Sequence, residues 1–122
     1  MEKNKTVYKY DPCCLIFSIA DFTTTDNYEP AFIFDTSKHP SFALQLINKH
    51  ATNALTYKIE TTFDGINFSE IKADTDITSE TNTIFEDESI GTKTIVYVKS
   101  KVSSTPATFN LFLRLKPASF IV

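Results

Sequence analysis

No tryptophan occurs in this sequence, and glycine occurs only twice, at Gly65 and Gly91. So few glycines leave no room for a phosphate-cradling loop or a collagen-like repeat. Cysteine is equally scarce, with one adjacent pair, Cys13-Cys14. A disulfide between neighbours closes a strained ring, and successive side chains of a strand point to opposite faces. The expectation is therefore two reduced thiols, as in a reducing compartment. No other ligand type lies close to them in sequence, so no metal site is expected there. Basic character is lacking too. The net charge is -3 and the lysines are scattered along the chain, whereas nucleic-acid binding needs a basic stripe against the phosphates. No direct nucleic-acid partner is expected. No apolar run approaches the ~20 residues that span a bilayer. The longest, Cys13 to Ala20, has the length of a buried strand, and no membrane partner is expected. Asp11-Pro12 interrupts the region where a signal-type hydrophobic stretch would follow the N-terminal lysines. Synthesis in the cytoplasm is the resulting expectation.

What the chain does have is aromatic and threonine-rich. Its 122 residues fit one domain. Eleven Phe and five Tyr favour strands, because such side chains pack well on a pleated, half-buried surface. "ALTYKIETTF" alternates most clearly, with Leu55, Tyr57, Ile59 and Thr61 inward and Thr56, Lys58 and Glu60 outward. Asp64-Gly65 then supplies a turn, since glycine takes a positive φ without steric cost. "SFALQLINK" places Phe42, Leu44 and Leu46 on one face. A helix would also accept residues 42–50, and the flanking strands favour a strand. In "TKTIVYVKSKV", the pairs Ile95/Tyr97 and Val96/Val98 compete for the inner face. The final strand alternates Phe109, Leu111, Leu113 and Leu115 against Asn110, Phe112, Arg114 and Lys116. Residues 72–83 are polar and read as a loop.

About eight short strands separated by polar turns predict an all-β chain, a sandwich or a closed barrel. The fold class expected is a single antiparallel β-sandwich, jelly-roll or immunoglobulin-like. Residues 1–12 form an extended arm or edge strand, 13–117 the sandwich domain, and 118–122 an apolar tail.

Candidate chemistry is sparse. His39 and His50 read as solvent-facing loop residues, and no nucleophile-elbow motif surrounds any serine. Asp74, Asp76 and Glu80 invite a calcium reading, but a loop starting at Asp74 needs glycine at its sixth position and glutamate at its twelfth. Ser79 and Phe85 stand there, so the motif fails. Glu86, Asp87 and Glu88 read as a solvated turn. Phe22, Tyr28 and Phe68 are the aromatics available to stack on a sugar, although tryptophan is missing.

The order "LQLINKHATNALTYKIETTFDGINFSEI", a polar loop, then "KTIVYVKSKVSSTPATFNLFLRLKP" resembles small β-sandwich structural proteins of tailed-phage virions. The matching features are Phe63-Asp64-Gly65, Phe68, Ile95 to Val98 and Phe109 to Leu115, over about the last two-thirds of the chain. The resemblance implies a non-enzymatic structural component of the capsid decoration, head-tail or tail-associated type. It implies no cofactor, location in a virion, and partners that are other virion proteins and copies of itself. The alternative is a carbohydrate- or receptor-binding module, and a weakly bound surface glycan stays open as a partner. Two chain ends are expected to make subunit contacts. Val7, Tyr8 and Tyr10 are enough to pair along a neighbour's sheet edge. Phe120, Ile121 and Val122 put apolar side chains at a terminus that is ordinarily polar.

Overall fold

The computed structural model describes residues 6–10, 15–36, 39, 41–87 and 91–116. Nine strands follow one another: β1 (Thr6–Tyr10), β2 (Leu15–Thr23), β3 (Glu29–Asp35), β4 (Ser41–Asn48), β5 (Leu55–Thr62), β6 (Ser69–Ile77), β7 (Asn82–Asp87), β8 (Lys93–Ser100) and β9 (Thr108–Lys116). There is no helix among the described residues. A five-stranded sheet, in the order β1-β2-β9-β4-β7, faces a four-stranded sheet, in the order β3-β8-β5-β6.

The pairing follows a simple rule. β5 pairs with β6, β4 with β7, β3 with β8 and β2 with β9, all antiparallel. These are the nested pairs of one long hairpin. Rolling that hairpin up adds the β4–β9 and β5–β8 pairs and gives a jelly roll. Of the two sandwich topologies expected, the jelly roll is therefore the one present, and the barrel alternative falls because β1, β7, β3 and β6 remain at sheet edges. β1 adds to the outer side of β2, pairing Thr6 with Ile19 and Tyr10 with Leu15.

The core lies between the sheets. β9 contributes Phe109, Leu111, Leu113 and Leu115, and β4 contributes Phe42, Leu44 and Leu46. From the other sheet come Leu55, Tyr57, Ile59, Val96, Val98 and Phe34. The register is what alternation demands: Leu44 opposes Leu113 and Leu46 opposes Leu111 on one inward face. The helix alternative for 42–50 is overturned, because all eight residues of β4 alternate between core and outer face. In β8 the competition is won by Val96 and Val98, both fully buried, with Thr94 and Ser100 in the same phase. Aromatic rings run across the core edge as Phe17–Phe32, Phe32–Phe34 and Phe34–Phe42, with centroids 5.6, 5.7 and 5.5 Å apart. Edge-to-face geometry at this spacing is favourable beyond simple burial.

The loop expected over residues 72–83 is a correction. β6 continues to Ile77 and β7 begins at Asn82. β6 is an edge strand with few apolar residues, Ile71 and Ile77 reaching the core, and it forms because β5 needs a backbone partner on that side. Two register shifts, Tyr57/Ile59 and Ile59/Glu60, accommodate it.

Gly91 is required by a close approach. Its N–H donates to Thr61 Oγ1 at 2.8 Å, and a Cβ at this position would collide with the Thr62 carbonyl. Gly91→Ala is expected to lower stability by roughly 1–3 kcal/mol through overpacking against backbone. Chemical denaturation reads this directly, and an unchanged midpoint would show that the β5 end yields freely.

Candidate functional site

The sandwich offers two sheet faces and one structured loop for contact with other molecules. On the outer face of the four-stranded sheet, alternation along β5, β6 and β8 aims Thr56, Lys58, Asp74, Asp76, Tyr97 and Lys99 outward, and Tyr28 lies over them from the loop before β3. The Tyr28 hydroxyl donates to Asp74 Oδ1 at 2.7 Å. Partial burial and the Asp74 carboxylate hold this phenol well above its usual range, so it stays a protonated donor and cannot act as a base. Lys58 Nζ lies 4.6 Å from the Tyr28 ring centroid and 5.3 Å from that of Tyr97, and Lys99 Nζ is 5.5 Å from Tyr28. These are cation–π contacts. Thr56 Oγ1 donates to Asp76 at 2.7 Å, and Lys101 pairs with Asp76 at 3.1 Å. Both hold the Asp76 carboxyl below its usual range. Lys58 also pairs with Glu60 at 3.4 Å. Lys58, Glu60, Asp76 and Lys101 on and beside this face are thus paired with one another.

The aromatics expected to stack on a sugar are dispersed. Phe22 packs on Phe109 with centroids 5.1 Å apart, so it serves the core. Phe68 is half-buried beside β6. Tyr28 sits in the cluster, with its ring face engaged by Lys58 and inclined 75° to Tyr97. The two rings make no flat platform. His50 lies half-buried in the loop after β4. Its Nδ1 accepts from the Thr52 and Asn53 amides at 3.1 and 2.9 Å, so the ring shapes the turn after β4. Among the described residues, no three histidine, cysteine or acidic side chains come together as a metal cluster.

The turn at Asp64 and Gly65 is a six-residue loop, 63–68, between β5 and β6, with Gly65 at φ +80°. Asp64 organises it. Its Oδ1 accepts from the Ile66 and Asn67 amides, both at 2.8 Å, and from Thr62 Oγ1 at 2.9 Å. Its Oδ2 accepts from Asn67 Nδ2 at 2.8 Å. The loop thus presents Phe63 and Ile66 to solvent at 76% and 81% exposure, a feature that the turn signal alone did not disclose.

The outer face of the five-stranded sheet differs in kind. Two rows cross β9, β4 and β7: Phe112–Gln45–Ile84, and Arg114–Ala43–Glu86. With Ile16, these residues line a surface concavity of about 320 Å³. Phe112 is 43% and Ile84 63% exposed. The signal in sequence was Phe112, an aromatic on the outward side of an amphipathic strand. The contact residues expected from sequence belong to the two chain ends. Val7, Tyr8 and Tyr10 belong to β1, whose backbone pairs on one side with β2 of its own chain and whose other side forms the edge of the sheet. Phe120, Ile121 and Val122, like Cys13 and Cys14, lie outside the described residues.

No known family model matches the chain, and no curated relative matches it. Among solved structures, it is similar to a subunit of Bacillus endospore appendages, described as disulfide-linked pili, with a TM-score of 0.58 at 12% identity. That match covers 96% of this chain and 93% of the other. More distant is a xylan-binding domain from Paenibacillus barcinonensis, with a TM-score of 0.40 at 13% identity over 98% and 85% of the two chains. So is infectious bursal disease virus, Gx strain, with a TM-score of 0.39 at 15% identity over 97% of this chain and 33% of that one.

Asp64 makes the loop sensitive to acid. Backbone and side-chain donors hold its carboxyl far below the ordinary value near ~3.9. A depressed folded-state pKa contributes stability that is present above the unfolded value and lost as pH falls below it. The melting-temperature gap between wild type and Asp64→Asn is expected to be constant from pH 7 to about 5 and to shrink below about 4. A gap that stays constant to pH 2 would show that the charge contributes nothing.

Proposed function

We propose that this chain is a non-enzymatic structural subunit that assembles with copies of itself into an appendage-type polymer. The observation that carries the reading is the end-to-end likeness to an endospore-appendage subunit, which spans 96% of this chain and 93% of the other. The fold supplies what a repeating subunit needs. Among the described residues, each sheet ends in strands with one unpaired side, and an edge strand is a template for pairing with another chain. Exposed apolar side chains stand on the 63–68 loop and on β7 and β9.

The appendage neighbour is described as disulfide-linked. Here Cys13 and Cys14 are the chain's two cysteines. Adjacent residues pair poorly with each other, so in an oxidising setting their natural partners are thiols of other copies. Two intermolecular bonds per subunit are the valence of a linear polymer. In a reducing compartment the two thiols would stay reduced, as expected from the sequence, and the polymer would rest on its non-covalent contacts.

The virion reading is the second one, favoured by the strand-and-turn order around Phe63-Asp64-Gly65 and Phe109 to Leu115. It shares the repeated, non-catalytic subunit and differs in requiring a particle built of other proteins.

The test is sedimentation velocity and negative-stain electron microscopy of the purified chain under oxidising and reducing conditions. Regular fibres from the chain alone are expected. Covalent ladders on non-reducing gels are expected to disappear in a variant carrying Cys13→Ser and Cys14→Ser. A chain that stays monomeric at every concentration overturns the assembly reading. Fibres without ladders overturn the disulfide and leave the polymer.

A further inference from the structure

We infer that the outer face of the five-stranded sheet is an isologous contact that receives the same face of a second copy. The inference rests on the assembly reading above and names one surface through which it occurs. The occupant is identified by the way the patch complements itself. Arg114 and Lys116 stand exposed on β9 on one side of β4, and Glu86 stands exposed on β7 on the other. Ala43 separates Arg114 from Glu86 in the same row. Two strand spacings put the charged positions about 10 Å apart. Neither side chain takes part in an ion pair among the described residues. The next row has the same logic in apolar terms. Phe112 forms a ridge on β9, Ile84 forms one on β7, and Gln45 and Ala43 floor the furrow between them.

A two-fold axis running along the strands exchanges the β9 side of one copy with the β7 side of the other and keeps each row in register. Set slightly towards β9, this axis brings Phe112 over the partner's furrow beside Ile84. The same operation brings Arg114 within reach of the partner's Glu86, and the reciprocal pair forms by symmetry. A different protein would have to match both the charge order and the ridge order. A second copy matches them automatically.

The area sets the strength. A sheet face of about 20 by 20 Å buries roughly 400 Å² per copy, about half of what a stand-alone stable complex buries. The contact is therefore reversible alone and consolidates when other contacts raise the local concentration.

The experiment uses the full chain with reductant present, followed by sedimentation equilibrium over a concentration series extending to millimolar. Arg114→Glu gives the Arg114–Ala43–Glu86 row one sign of charge, and Glu86→Arg gives it the other. Each variant alone is expected to associate at least tenfold more weakly than wild type. Their equimolar mixture is expected to regain association, because each then meets its complement. Ile84→Glu is expected to weaken association without rescue in any mixture. Far-ultraviolet circular dichroism of each variant checks that the sandwich is intact. If wild type and both charge variants associate alike, or the mixture is no better than its components, the contact is wrong and the assembly reading stands. If the wild-type chain does not associate at any concentration, both are wrong.

Discussion

The inward stripe of β9 holds the molecule together. Phe109, Leu111, Leu113 and Leu115 are all essentially inaccessible, and β9 lies between β2 and β4 at the centre of its sheet. Every other element takes its position from this strand. β4 aligns Leu44 and Leu46 with it, β2 aligns Phe17 and Ile19, and the second sheet fills the gap beneath with Tyr57, Ile59 and Val96. Because the side-chain period is two, a slip of one residue would expose the whole stripe. The same constraint fixes what the outer face contains. Phe112, Arg114 and Lys116 point outward because their neighbours must point inward, so the surface available for assembly is a consequence of the core register.

The ends of the sandwich are closed by hydroxyls. Thr36, Thr61 and Thr94 hydrogen-bond one another and the chain at Gly91, with Thr94 at 3.2 Å from Thr36 and 3.0 Å from Thr61. At the opposite end, Thr24 bonds Ser100 at 2.8 Å and accepts from the Ala107 amide at 2.8 Å. Asn48, fully buried at the end of β4, donates to the Asn53 and Ile77 carbonyls and accepts from the His50 amide. Strands leaving a sheet uncover backbone groups that still need partners. Short polar side chains meet that need inside the core without charge, which accounts for threonine recurring at buried ends of strands.

The amphipathic strands were legible because they carry their own pattern. β5, β4 and β9 each bury alternate residues, and reading their apolar positions gave the correct inward faces and the all-β class. β6 was only partly legible. In SEIKADTDI the residues Ile71, Ala73 and Ile77 share one phase, but the charged and hydroxyl residues between them read as a loop, and the pairing with β5 is register-shifted. Asp74 and Asp76 looked like loop acids for the same reason. In place they receive the Tyr28 and Thr56 hydroxyls. The choice of jelly roll over other sandwiches was illegible in principle, since it depends on which strands meet across long separations. The contact surfaces were only partly legible. The Asp64-Gly65 turn announced a loop. What the loop displays, Phe63 and Ile66, follows from the donors gathered by Asp64 across the loop, and no local pattern encodes that gathering.

The two outer faces now differ in what it costs to bury them. Covering the four-stranded sheet would take Lys58, Glu60, Asp76 and Lys101 out of water together with their pairs. Desolvating paired charges costs more than their attraction returns unless geometry and hydrogen bonding are excellent. Covering the five-stranded sheet removes Phe112 and Ile84 from water, which is favourable at about 25 cal/mol per Å² of apolar surface. It also brings Arg114 and Glu86 opposite groups that can satisfy them. Self-satisfied polarity on one side and unmatched, self-complementary character on the other give the sandwich a direction. On the contact proposed above, a subunit with one face suited to water and one suited to its own copy would associate in a defined orientation, with its sheet edges at right angles to that contact.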